Sequence, residues 1–222
     1  MLRALLHKEK IKLRHFWWLP VFLCAAALLD YWLTFRGVLA MHGAVDTWNG
    51  LIVKKTIYFT SLKWAFLASA AWMAAVQMLP ECHDRRLRLL FHLPVNTLWA
   101  LGITISTGIT FMLVLMSGTA AIFCGINHFF GLPQEISGPM LATVMPWALA
   151  ALSTWCAVAA SIADPAYLRK TAYVLVGIGY ISLLTGGRGY APLQDSLCLY
   201  ALACLPWLFA PCVAALRVKE GN

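Results

Sequence analysis

Six apolar runs divide this chain, most of them close to bilayer-spanning length, and no soluble domain separates them. They fall at about residues 16–35, 57–79, 97–124, 140–163, 172–186 and 196–216. A helix rises about 1.5 Å per residue, so roughly 20 apolar residues cross the hydrocarbon layer of a membrane. In that layer the backbone must satisfy its own hydrogen bonds, which such runs do as helices. The expected fold is therefore all-α: one polytopic membrane domain of six spans at residues 16–222, preceded by a basic segment at residues 1–15. The fifth run is short for a span and closes on Gly186-Gly187-Arg188-Gly189. Composition agrees with this class. Charged residues are 12% of the chain and apolar residues 61%, where a soluble domain carries about 25% charged residues. The first run is too long for a signal-peptide core and no small-residue cleavage site follows it, so the first span is expected to be retained.

Lysine and arginine in the short loops give the orientation. With six spans both termini share a side. That side holds Arg3, Lys8, Lys10, Lys12, Arg14, Arg85, Arg86, Arg88, Arg169, Lys170, Arg217 and Lys219; the other holds Arg36, Lys54, Lys55 and Arg188. The positive-inside rule then expects both termini in the cytoplasm. The net charge of +8 follows the sidedness of the loops, so it reads as a topology signal and no nucleic-acid partner is expected.

The longest charged island on the cytoplasmic side is Pro80-Glu-Cys-His-Asp-Arg-Arg-Leu-Arg-Leu-Leu-Phe-His-Leu-Pro-Val-Asn96. Pro80 is expected to end the second span, with Glu81 and Asp84 in the first turn of the next helix, where negative charge suits the dipole. Leu87, Leu90 and Phe91 share a helical face, Leu89 flanks them, and Arg85, Arg86 and Arg88 lie largely elsewhere around the axis. Leu93-Pro94 stops the helix. The segment reads either as a short amphipathic helix that lies on lipid or fills a partner's groove, or as a basic connecting loop.

An acidic residue after the second span, Leu-rich turns, then Leu-Pro-Val and a polar residue before the third span resemble the type-2 permeases of ATP-binding-cassette exporters. The matching positions are Glu81, Leu87, Leu89, Leu90, Leu93, Pro94, Val95 and Asn96. Asp84-Arg85-Arg86 departs from the pattern, since relatives often have a Gly-containing turn there. The resemblance covers the whole layout of basic amphipathic start, six spans and internal termini. It implies that this island is the coupling helix docking on a separate ATPase subunit, with Glu81, Arg85, Leu87, Leu90, Phe91, Leu93 and Pro94 at the contact. It also implies two ATPase copies, a second permease chain, identical or homologous, and a bacterial inner-membrane location. At the N-terminus Leu2, Leu5 and Leu6 cluster on one face, Lys8, Lys10, Lys12 and Arg14 flank it, and Trp17-Trp18 suit an interfacial belt. The resemblance implies an in-plane elbow helix at residues 1–15; an ordinary positive-inside anchor is the alternative.

The chain has no G-x-x-x-x-G-K-[ST] phosphate loop, so no ATP hydrolysis is expected of it, and ATP and magnesium would belong to the partner. Two charges stand inside spans. Asp30 and Lys63 each sit roughly 8–9 Å below the outer boundary at about 1.5 Å per residue, so either they pair or each snorkels to the interface. The seven cysteines, Cys24, Cys82, Cys124, Cys156, Cys198, Cys204 and Cys212, form no C-x-x-C, and neither a metal nor another bound cofactor is expected. Residues 36–56 form the longest outer loop. Inside, Asp164-Pro165-Ala166-Tyr167-Leu168-Arg169-Lys170 reads as a tight connector and a second place a soluble partner can touch. The leading expectation is the permease subunit of an ATP-driven exporter. A non-transporting membrane scaffold that holds a soluble partner is the alternative. A membrane enzyme is disfavoured, because no paired aspartates or Ser/His arrangement stands in register within the spans.

Overall fold

The computed structural model describes residues 2–82, 97–187 and 189–220, all helix and loop, with no strand among them. In chain order the helices are α1 (Leu2–Leu13), α2 (Trp18–Ile52), α3 (Thr60–Cys82), α4 (Thr97–Phe129), α5 (Gln134–Ala163), α6 (Tyr167–Thr185), α7 (Leu197–Cys204) and α8 (Ala210–Glu220), with a 3-10 turn at Pro206–Phe209 between the last two. Five helical stretches are long and apolar enough to cross a membrane: Trp18–Ile52, Thr60–Cys82, Leu98–Phe129, Gln134–Ala163 and Leu197–Val218. The protein is therefore a polytopic helical membrane protein. The 19-residue α6, with Arg169 and Lys170 in its first turn, is not one of the five.

α5 is the hub. In its most apolar stretch 61% of residues are buried, against 22% in α4 and 17% in the last span. α3 and α6 flank it, and α2 closes on α3. Small residues allow the closest approaches, as expected where helices meet in lipid. A Cβ on Gly177 of α6 would lie 2.5 Å from the Ala157 Cβ of α5, and one on Gly108 of α4 would run into Gln77 Oε1 and lie 2.6 Å from Trp155 Cζ2. The face of α2 turned to the core is Cys24, Ala27, Leu28, Tyr31 and Phe35, a helical spacing, while Phe22, Leu29 and Leu33 point outward.

Near the end away from α1, an aromatic cluster fills the core. Ring centroids stand 5.1 Å apart for Tyr31 and Phe123, 4.9 Å for Phe59 and Phe123, and 5.5 Å for Phe59 and Trp147. Each such pair adds about 0.5–1.5 kcal/mol beyond the area it buries. Within this cluster Tyr31 donates to Asn127, both residues being buried.

Three expectations change. The long outer loop is largely helix, because α2 continues to His42, turns at Gly43 and resumes to Ile52. Gly43 has φ 76° and ψ 174°, a conformation that only glycine adopts without strain. Thr47 Oγ1 donates to the Gly43 carbonyl at 2.7 Å, and Thr47, Gly50 and Leu51 are buried, so packing stabilises the returning helix. Second, α3 passes through Pro80 to Cys82, so Glu81 sits in the last turn of a span and not in the first turn of the next helix. A proline there removes one backbone bond at a frayed end, where the loss is small compared with mid-helix. Third, the last span is interrupted at Pro206, whose missing N–H tightens the helix into a 3-10 turn before it resumes at Ala210.

Candidate functional site

Charged contacts gather where α1 meets the ends of α3 and α4. Glu9 of α1 is 1% exposed. Its Oε1 accepts from Lys12 Nζ at 2.7 Å and from Thr104 Oγ1 at 3.3 Å, and its Oε2 accepts from Gln77 Nε2 at 3.3 Å. Gln77 also donates to the Thr104 carbonyl, which ties α3 to α4 through the same amide. Lys12 bridges on to Glu81 Oε1, and Lys8 reaches that oxygen at 2.7 Å. Two carboxylates and two ammoniums thus cancel in one connected network spanning three helices.

The sequence places these groups by local geometry. Lys8 and Lys12 stand four apart, and Glu9 and Lys12 three apart, so all three face one side of α1. Gln77 and Glu81 repeat the four-residue step on α3. Leu13 is buried beside them, while Leu6 and Ile11 are exposed. The inward face of α1 is therefore largely ionic, the reverse of an apolar face turned to the protein. Burial strengthens these interactions, and losing one partner leaves a charge without compensation in a poor solvent.

A second ionic group closes the same end of the bundle. Asp164 terminates α5, with its side chain wholly buried. Its Oδ1 accepts the Ala166 N–H at 2.9 Å and Arg169 Nε at 3.0 Å, and Arg217 Nη1 of α8 lies 3.5 Å from Oδ2. Asp164 followed by Pro165 makes an Asx-type turn that holds α5 against the start of α6. Burial alone would raise the Asp164 carboxyl, but the backbone N–H and the two arginines outweigh it and hold it below its ordinary value.

Of the residues singled out from the sequence, Glu81 belongs to the first network, 5% exposed and turned toward α1. Arg85, Leu87, Leu90, Phe91, Leu93 and Pro94 lie outside the described residues. Asp30 and Lys63 are not brought together: Asp30 is exposed on α2, and the Lys63 ammonium stands 5.1 Å from the centre of the Trp64 ring. All seven cysteines are free thiols, and no three His, Cys, Asp or Glu side chains gather as a metal site among the described residues. Sequence reasoning passed over Gln77 and Thr104, gave Glu9 no partner, and named Asp164 only within the tight connector at residues 164–170. Two signals were available: Glu9 is the single acidic residue before Asp30, and Gln77 is a lone amide inside an apolar helix.

Comparison with protein-family models, curated proteins and solved structures returns no match for this chain.

Proposed function

We propose that this chain is the permease subunit of an ATP-driven exporter, related to the type-2 permeases that residues 80–96 resemble, with both termini in the cytoplasm. In this reading α6 is the fifth of six spans. Its 19 residues extend about 28 Å, and it turns Val174, Leu175, Ile178 and Leu183 outward as a lipid-facing helix does. α1 is then the elbow helix, lying at the cytoplasmic membrane face.

The observation that supports this best is the network of Lys8, Glu9, Lys12 and Glu81. Glu81 stands near the start of the segment expected to dock on an ATPase, and its only ionic partners among the described residues are on α1. A displacement of that segment on ATP binding would be carried by Glu81 into Lys8 and Lys12. Gln77 and Thr104 would pass it to the inner halves of α3 and α4. The ATPase subunits supply the nucleotide chemistry, and a second permease completes the pathway.

The test is purification of the full chain from its native host in a mild detergent. An ATP-binding-cassette ATPase should accompany it, and Leu90→Glu or Phe91→Glu should remove that ATPase while the chain remains folded by circular dichroism. The assembled complex should hydrolyse ATP at a rate that its cargo raises. Purification of the folded wild-type chain with no ATPase attached would overturn the proposal.

A further inference from the structure

Beside the ionic network lies an open groove of about 580 Å³ between α1 and α4. Leu6, Lys10 and Leu13 of α1 line it, with Arg14 and Trp17 from the turn that follows, and Thr110 and Phe111 stand on the α4 wall. The volume lies in the range of small-molecule sites, roughly 300–1,000 Å³. Ser106 and Thr107, also on the α4 wall, donate to the Ile103 carbonyl of their own helix at 3.0 and 2.7 Å. Their hydroxyl hydrogens are therefore spent, which leaves the groove lined mainly by apolar surface.

The charges on the rim are one-sided. Lys10 in α1 and Arg14 just past its end stand one turn apart, the Arg14 N–H donating to the Lys10 carbonyl at 3.0 Å, and both are exposed. The carboxylates of this region, Glu9 and Glu81, are engaged by Lys12 and Lys8, so neither Lys10 nor Arg14 has an acidic partner among the described residues. Trp17, at 48% exposure, follows one turn later, at the level where indoles settle between headgroups and acyl chains. An apolar trough open to the side, with two unneutralised cations at its mouth and an interfacial tryptophan, matches a molecule with a long apolar tail and an anionic head.

We propose that this groove binds one anionic phospholipid from the leaflet that faces α1. Its phosphate sits between Lys10 and Arg14, and an acyl chain runs along Leu6, Leu13 and Phe111. Basic pockets between membrane helices recognise anionic headgroups in this way, and each cation near a charged surface contributes about a fivefold gain in affinity. The inference depends on the membrane character of the chain and not on the transporter reading. The lipid would fasten α1 to α4 beside the ionic network.

The experiment uses the full chain in nanodiscs of equal palmitoyl-oleoyl phosphatidylglycerol and phosphatidylcholine, with the lipids retained on the released protein counted by native mass spectrometry. The wild type should retain one phosphatidylglycerol in preference to phosphatidylcholine. Lys10→Ala with Arg14→Ala should weaken that retention about tenfold or more, and Lys170→Ala, which removes a charge away from the groove, should leave it unchanged. Thr110→Trp keeps every charge and fills the groove, so it should abolish the bound lipid. Circular dichroism confirms that each variant is folded. Equal retention of the two lipids by the wild type, or retention of phosphatidylglycerol by Thr110→Trp, would overturn the proposal.

Discussion

Tyr31 donates its hydroxyl hydrogen to Asn127 Oδ1 at 2.7 Å, joining α2 to α4 across 96 residues of sequence. Asn127 Nδ2 is buried without a partner, so this one bond satisfies only half of the amide. Tyr31→Phe should keep the aromatic packing and cost about 1–2 kcal/mol of stability. Adding Asn127→Leu to Tyr31→Phe should recover most of that loss, because two matched apolar groups leave nothing unsatisfied. Reversible denaturation in detergent of the wild type, both single variants and the double variant measures the coupling. A double variant as unstable as the sum of the singles would show that the pair does not interact.

The ionic network predicts local release of α1. Glu9→Ala removes the acceptor of Lys12, Gln77 and Thr104 and should cost about 3–5 kcal/mol, as for a broken buried pair. Lys12→Met should cost more than Lys8→Met, since Lys12 is 12% exposed and bridges two carboxylates, whereas Lys8 is 43% exposed and reaches one. Hydrogen exchange followed by peptide mass analysis should show faster exchange confined to residues 2–13, with α5 unchanged. Unaltered protection of α1 in Glu9→Ala would mean that the network does not hold it.

Asp164 gives a pH dependence whose sign is fixed. Its folded carboxyl lies below its ordinary value, so the unfolded chain binds the proton more tightly. The stabilisation is present above the unfolded pKa of about 3.9 and is lost as pH falls through the folded value. Asp164→Asn keeps an acceptor for the Ala166 N–H but loses the charge that faces Arg169 and Arg217. It should cost about 1–3 kcal/mol at neutral pH, toward the lower end because both arginines are more than one-third exposed. The variant should also show a flatter loss of thermal stability as pH falls below about 4. A wild type and a variant with parallel curves would remove Asp164 from the account.

Gly108 and Gly118 lie on one helix and should respond oppositely to alanine. Gly108→Ala drives a methyl against Gln77 and Trp155 and should destabilise by about 1–3 kcal/mol. A Cβ on Gly118 meets nothing within 4 Å, so Gly118→Ala should be neutral or stabilise by up to about 1 kcal/mol. Thermal unfolding midpoints of the two variants, measured side by side, check the contrast.

The long apolar helices were legible because hydrophobic length is a one-dimensional property of the chain. The groups they bring together were less so, because depth along a helix is readable and rotation about its axis is not. Asp30 and Lys63 show the difference. They stand at similar depths, but the core face of α2 passes through Leu28 and Tyr31 and that of α3 through Leu62 and Phe66, which turns both charges away. Residues 36–56 read as a loop because Gly37, Gly43, Asn49 and Gly50 are weak helix formers. Burial of Thr47 and Leu51 overrides that preference. Glu9 was obscured by its neighbours: it stands among basic residues, and Gln77 and Thr104, which bury it together with Lys12, lie far along the chain.

The setting of Glu9 also imposes an order on the chain's own synthesis. Its carboxylate finds Gln77 68 residues later and Thr104 95 residues later. Until α3 and α4 emerge from the ribosome, Glu9 has Lys12 on its own helix but lacks the Gln77 and Thr104 donors that complete its burial. α1 can therefore complete its contacts only after α3 and α4 have been made. The first segment made is among the last to be locked, and a Glu9 variant that folds poorly in cells should accumulate with its early spans inserted and its N-terminus open to protease.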